Sequence, residues 1–449
     1  MKKKIGMTIA ATLAALSVFA FSACNVTSGN NAYDIAVENG YQGTLAEWLK
    51  SLEGVDGKDG KDLDIEDVYN SAVKYGYEGT FLEFLKEYLS VDVQEDNDVK
   101  QIAQNITSVV SVVANFEKTV KGGSIFGGSR TETVQYSAAG SGVIVQFDRT
   151  EGDAYVVTNY HVVYDSESNT KTGISNAIYL YMYGALGADA IESTFVAGSM
   201  DYDIAILRVE DSMELKGSIA TAAEFGDSNT AALGEKVFVI GNPGGDGISV
   251  TSGVLSVDSE YIEMESSDGL RTVEYRVMRT DAAINPGNSG GALFNAEGKL
   301  IGITNAKSTE TDVDNVAYAL PITQVKYVMQ NAFENGGAVK RAMLGITVAT
   351  TDTSLQFGQD GEIVVVEELT VYETPTVGSA AYGQLKAGDI LKNATIDGVT
   401  TELSRRFYLI DLLLQVRLND TIKLTIERDG TEKEVEIKFD KESYFTLYK

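Results

Sequence analysis

The chain has 449 residues, room for two or three domains of ordinary size. Hydrophobic residues at 44% and charged residues at 22% form a globular mixture that can bury a core, which argues against wholesale disorder. A net charge of -29 opposes nucleic acid, and a single His with a single Cys leaves little room for a histidine zinc site, a thiol protease or a disulfide framework.

Lys2, Lys3 and Lys4 precede an apolar run from Ile5 to Phe21, followed by Ser22, Ala23 and Cys24. A basic start, an apolar core and small residues before a cut describe a secretory signal over residues 1–23. Phe21-Ser22-Ala23-Cys24 resembles a lipobox, with Phe21 where an aliphatic residue is usual. Cys24 is then the lipidated residue, and the alternative is an uncleaved signal anchor. Both place the chain outside the cytoplasm, on the outer face of a bacterial cell membrane. Residues 24–98 read as a stalk with a repeat, 32–52 against 68–88, in which Tyr33, Gly40, Tyr41, Gly43 and Thr44 recur as Tyr69, Gly76, Tyr77, Gly79 and Thr80. Thr44 with Glu47 and Thr80 with Glu83 have capping-box spacing, so each copy predicts short helices. The stalk is either a spacer or a module that docks a partner. Val99, Ile102, Ile106, Val109 and Val113 then follow a helical spacing.

From about 120 to 337 the pattern changes to short strands and Gly-rich turns, which predicts an all-β barrel or sandwich. Residues 140–145 and 154–158 read as adjacent strands, and the sole histidine follows in Thr158-Asn159-Tyr160-His161. A lone His is commonly structural. Asp201-Tyr202-Asp203 enters an apolar strand, Ile204-Ala205-Ile206-Leu207, where an acid needs a partner if buried. Asp201 reads as a turn residue. The third stretch is Asp281-Ala282-Ala283-Ile284-Asn285-Pro286-Gly287-Asn288-Ser289-Gly290-Gly291. Small residues around one serine let backbone N–H groups turn inward beside an exposed hydroxyl, as an oxyanion hole requires. No His follows Ser289, which excludes the α/β-hydrolase order, whereas His161, Asp203, Ser289 is the chymotrypsin order.

These stretches resemble the HtrA/DegP family of trypsin-like serine proteases, over roughly residues 105–440. The resemblance implies a mainly β chain: a chymotrypsin-like double β-barrel protease domain over 99–337, then an α+β PDZ domain over 338–449. It assigns Ser289 as nucleophile, His161 as general base and Asp203 as the group that orients it, with the N–H groups of Gly287 and Ser289 as oxyanion donors. Ile303, Thr304 and Asn305 fall in the segment lining the specificity pocket, with Thr and Asn exchanged relative to the common form. Tyr160 stands where Asn is common, and 121–138 fills the position of a regulatory loop. In the C-terminal part, Leu344, Gly345 and Ile346 match a carboxylate-binding loop, Gly378-Ser379-Ala380-Ala381 through Leu385 to Leu391 matches a PDZ segment, and Phe407 to Leu414 is expected as the helix beside the groove. Leu344 and Ile346 also read as plain core residues.

The resemblance implies no metal and no organic cofactor, since nucleophile, base and oxyanion donors are protein groups. Expected partners are unfolded or misfolded protein substrates, C-terminal peptides at the PDZ groove and, through the N-terminal anchor, the membrane; a homotrimer is expected and nucleic acid is not. The expected activity is a membrane-anchored, ATP-independent serine endopeptidase that cleaves misfolded or damaged exported proteins through an acyl-enzyme. The competing reading is a PDZ-dependent chaperone or peptide-binding surface protein with minor proteolysis.

Overall fold

The computed structural model describes residues 102, 104–123, 129–183, 190–242, 247–305, 316–358 and 363–448, with the single positions 42 and 73. The signal segment, Cys24 and the helical repeats lie outside the described residues. The chain divides into two compact units, Met1–Asn97 and Asp98–Lys449, and the described architecture is that of the second. Among the described residues no helix is long and apolar enough to cross a membrane.

Twelve strands form two closed antiparallel barrels. The first contains β1 (Val109–Gly123), β2 (Ser129–Asp148), β3 (Asp153–Thr158), β4 (Ala177–Met182), β5 (Ile191–Ser199) and β6 (Ile204–Val209), in the order β1-β2-β3-β6-β5-β4. The second contains β7 (Lys236–Gly241), β8 (Ser249–Glu265), β9 (Thr272–Thr280), β10 (Ala292–Asn295), β11 (Leu300–Asn305) and β12 (Ala317–Pro321), and repeats the same winding. Several strands are apolar on both faces, which a period of two explains. Val110, Ile144, Val156 and Leu207 pack inside the first barrel. Their chain neighbours Val109, Val143, Val157 and Ile206 join Phe238, Ile240, Val277 and Phe294 of the second barrel in one core. That shared core glues the barrels together.

Two expectations change. The helical spacing that begins at Val99 does not continue to Val113: a single 3-10 turn spans Ile106–Ser108, and β1 starts at Val109. Val109, Val110 and Val112 are β-branched, and as a strand they reach both cores, Val109 the shared one and the other two the first barrel's, which a helix here would not. The 121–138 segment is largely sheet: β1 and β2 stay paired from Val109↔Val143 out to Gly123↔Ser129, a ribbon that projects well beyond the barrel register.

A third body follows helix α1 (Ile322–Glu334). Its first strand β13 (Val339–Ala342) pairs with the last strand β20 (Phe445–Tyr448). A second sheet contains β14 (Val348–Phe357), β15 (Ile363–Val371), β16 (Ile390–Ile396), β18 (Thr421–Arg428) and β19 (Thr431–Lys438) in sequential order, with β17 (Val399–Glu402) paired to β16. Strand β14 is outermost. Helix α2 (Arg406–Gln415) covers the sheet with Leu409, Leu412 and Leu413, while Leu414 reaches into the core shared by the barrels. It is apolar nearly all round because it is covered on both sides.

The join between α2 and the second barrel is polar and buried. Arg276 donates to Asp411 Oδ2 at 2.8 Å, to Asn229 Oδ1 at 2.9 Å and to Ser259 Oγ at 3.0 Å, and its guanidinium lies 3.6 Å over the Phe407 ring. Burial pushes the Asp411 carboxyl up and Arg276 down, and their mutual attraction opposes both. Around this pair, Arg405 meets Asp258 at 2.7 Å, and Arg406 forms a two-pronged contact with Glu274 at 2.6 and 3.1 Å. Asp411→Ala leaves a buried guanidinium uncompensated and is expected to lower the unfolding free energy by about 3–5 kcal/mol in chemical denaturation. Arg406→Ala, at a half-exposed pair, is expected to cost less than about 1 kcal/mol in the same measurement.

Candidate active site

The three residues singled out by chain order converge between the barrels. His161 lies in the helical turn Tyr160–Val163 directly after β3, Asp203 in the turn before β6, and Ser289 in the loop before β10. His161 Nδ1 is 2.8 Å from Asp203 Oδ2, and His161 Nε2 is 3.0 Å from Ser289 Oγ. A carboxylate only accepts, so the proton of neutral His161 sits on Nδ1, and Nε2 turns its lone pair to the serine hydroxyl. Asp203 is fully buried, Ser289 is 6% exposed and the His161 side chain is 22% exposed. A hydroxyl, an imidazole that can take its proton and a carboxylate that orients the imidazole are thus in line, and the line is most exposed at His161.

Asp203 is held from several sides. Besides His161 Nδ1, its carboxylate receives the His161 backbone N–H at 3.0 Å and Asn305 Nδ2 at 2.9 Å. The role of Asn305 was not visible in the sequence. Ile303, Thr304 and Asn305 match a pocket-lining segment, yet all three side chains are buried in β11. Ile303 belongs to the shared core, Thr304 Oγ1 donates to the Asn288 carbonyl, and Asn305 reaches Asp203. Alternation along the strand sends Thr304 to the serine loop and Asn305 to the acid, so the exchanged order places an amide at the carboxylate.

The serine loop is fastened by Ser141 of β2. Its hydroxyl donates to the Gly287 carbonyl at 2.7 Å and accepts the Asn242 N–H at 2.8 Å, while its own N–H donates to the Ser289 carbonyl at 2.7 Å. Gly287 has φ 100° and Gly290 φ 81°. A Cβ on Gly290 would stand 2.2 Å from both the Ser141 carbonyl and Thr158 Oγ1, so only glycine fits. The two N–H groups predicted as oxyanion donors, on Gly287 and Ser289, are therefore carried by a loop whose path is fixed on both sides.

Tyr160, the residue before His161, has its ring 5.4 Å from that of Tyr164 and 5.9 Å from that of Phe195. Burial pushes its hydroxyl up to about 12, and Tyr164, Asp268 and Asp201 add to the shift. Its backbone N–H donates to the Asp203 carbonyl at 3.1 Å, a contact that does not depend on the side chain, which is why an aromatic residue fits where Asn is common. Asp201 sits in a turn, as expected, and meets Arg271 at 2.6 Å. Leu344, Gly345 and Ile346 stand apart from this cluster, on the loop between β13 and β14. Leu344 is buried and Ile346 packs on the third body's core. Gly345 has φ 74°, and a Cβ there would meet the Ser379 side chain at 2.2 Å. Among the described residues no group of three or more His, Cys, Asp or Glu is arranged to hold a metal ion.

A family profile described as a trypsin-like peptidase domain matches residues 140–303, a span that contains all three clustered residues. The serine protease Do-like HtrA of Lactococcus lactis subsp. lactis is 31% identical over 359 residues, covering 76% of this chain and 82% of the relative. Its counterpart from Lactococcus lactis subsp. cremoris is 32% identical over 365 residues, covering 77% and 83%. The protein of the same name from Bacillus subtilis is 29% identical over 357 residues, covering 77% and 74%. Among solved structures, the HtrA-type protease AlgW with a decapeptide is 24% identical, with a TM-score of 0.48 over 78% of this chain and 99% of that one.

Asn305→Ala takes one donor from a fully buried carboxylate, and chemical denaturation is expected to show a loss of about 1–3 kcal/mol. The same substitution is expected to slow the labelling of Ser289 by a phosphonofluoridate about tenfold, because the carboxylate no longer holds the imidazole as firmly.

Proposed function

This chain belongs to the Do-like HtrA family of serine proteases and is a serine endopeptidase, and from that premise we propose that His161, Asp203 and Ser289 are its catalytic triad and that it degrades misfolded or damaged exported proteins at a membrane surface. The observation that carries the reading is the line of 2.8 and 3.0 Å contacts across two barrels through the only histidine in the chain. With no second imidazole available, no other histidine can serve as the base.

In this mechanism Ser289 Oγ attacks the scissile carbonyl carbon as its proton passes to His161 Nε2. Asp203 holds the Nδ1–H tautomer and stabilises the imidazolium, and the N–H groups of Gly287 and Ser289 take the charge that develops on the carbonyl oxygen. His161 then returns the proton to the departing amine, and water, deprotonated by the same nitrogen, releases the acyl group and restores Ser289. The substrate class is supported by the export signal read at residues 1–23 and by the third body. In that body the outermost position of β14 beside Leu344-Gly345-Ile346 suits a PDZ-type groove, where a C-terminal peptide would add as an edge strand. Cys24 anchors the protein through its lipid, and the active form is a trimer.

The test is degradation of an unstructured protein by the chain and by its Ser289→Ala variant. Loss of more than about a thousandfold in Ser289→Ala is expected, with His161→Ala no worse when added to it, because the triad acts as a unit. Equal cleavage by parent and Ser289→Ala would sink the assignment. An unchanged protective effect of Ser289→Ala on unfolded clients would move the reading to a chaperone. Cys24→Ala is expected to shift the protein from the membrane to the soluble fraction; retention in the membrane would favour an uncleaved anchor.

A further inference from the structure

Asp203 has φ 51°, the left-handed region that residues with a Cβ seldom occupy. Such a conformation costs on the order of 1 kcal/mol or more and persists where contacts on each side over-determine it. On the first-barrel side, the Asp203 carbonyl accepts the Tyr160 N–H at 3.1 Å and Asn159 Nδ2 at 3.0 Å. The other side is held through Tyr202, the preceding residue, which is only 8% exposed.

The Tyr202 hydroxyl accepts from Arg341 Nη1 at 3.0 Å, and its ring lies 5.6 Å from the ring of Tyr448. Arg341 sits 4.5 Å over the Tyr448 ring and donates to the Tyr448 hydroxyl. The Arg341 guanidinium thus meets both tyrosines, and Nη2 also reaches Met343 Sδ at 3.9 Å. Burial holds the Tyr202 phenol far above its ordinary value, and the neighbouring Arg341 opposes that shift. Arg341 and Tyr448 belong to β13 and β20, the strand pair that opens and closes the third body. Three residues beyond Arg341 begins the Leu344-Gly345-Ile346 loop.

We propose that Tyr202 and Arg341 are positioning residues for the reaction: the first strand of the third body grips the turn 200–203 and so sets the Asp203 carboxylate beneath His161. The inference rests on the triad reading given above. Without the hydroxyl–guanidinium contact, the turn keeps the Tyr275 hydroxyl on the Met200 carbonyl and the Asp201–Arg271 pair but loses its tie to β13, and Oδ1 and Oδ2 shift together relative to the His161 N–H and Nδ1. The loss falls on chemistry rather than on substrate binding, because what moves is the support of the base. The same linkage makes the third body part of the active enzyme even for a substrate that never touches its groove.

The test uses the full chain and three variants, Tyr202→Phe, Arg341→Ala and Arg341→Lys. Two rates are followed: phosphonylation of Ser289 by a phosphonofluoridate, in which the Oγ–P bond forms as fluoride leaves, and kcat with KM on an unstructured protein. Tyr202→Phe removes one oxygen and keeps the packing. It is expected to slow phosphonylation and kcat together by about tenfold or more with KM within about twofold of the parent. Arg341→Lys, which keeps a donor, is expected to recover part of what Arg341→Ala loses. Tyr202→Phe reacting at the parent's rate, a rise confined to KM, or no recovery with Lys would each overturn the proposal. If Arg341→Ala fails to fold, Tyr202→Phe alone decides. A parent that phosphonofluoridate does not label would instead sink the triad reading, and this inference with it.

Discussion

The structure depends on how a fully buried carboxylate is kept charged. Moving Asp203 out of water costs far more than folding can spare unless its oxygens are met by donors. The backbone N–H and Nδ1 of His161 come from the first barrel, and Asn305 Nδ2 comes from the second. The charge is therefore satisfied only when the barrels are docked. The site and the seam are one problem, and a chain that misplaced one barrel would leave a buried anion short of a partner as well as lose apolar contact.

The serine loop obeys the same logic with neutral groups. Ser141 uses its N–H and its hydroxyl, as donor and as acceptor, to tie β2 to Ser289, Gly287 and Asn242. Each of these bonds contributes about 1 kcal/mol net, but leaving any of the buried groups unpaired costs more. Glycine at 290 follows from this crowding: the loop runs so close to Ser141 and Thr158 that no side chain has space. A pattern of small residues that reads as flexibility in the sequence is, in the folded state, a record of close approach.

Chain order made the meeting of His161, Asp203 and Ser289 legible, because three short stretches in the sequence His, Asp, Ser admit few arrangements, and the apolar runs around them announced strands. What stayed hidden was direction. Nothing in Gly302-Ile303-Thr304-Asn305 says which side chain faces the carboxylate; a shift of one residue along a strand turns a side chain to the opposite face. The segment near Val109 was obscured for a related reason. Its valines satisfy a helical spacing and a strand equally well, and the choice is made by two cores that exist only after the barrels close. The ribbon of β1 and β2 was hidden by its Gly and Ser content, which local reading assigns to a loop and cross-strand pairing overrides.

The third body is joined to the barrels by groups that make sense only together. Helix α2 presents Leu409, Leu412 and Leu413 to one core and Leu414 to another, so it cannot leave the barrels without exposing apolar surface. Arg276 and Asp411 sharpen that constraint, since separating them by a few ångströms while both stay buried leaves each without its countercharge. Sliding at this join is therefore costly, whereas separation far enough for water to enter is opposed by the apolar contact. The consequence is a discrete junction rather than a compliant one. With the third body held in place by this join, Arg341 of β13 is kept at a fixed distance from Tyr202, and the turn that carries Asp203 has a firm support rather than a yielding one.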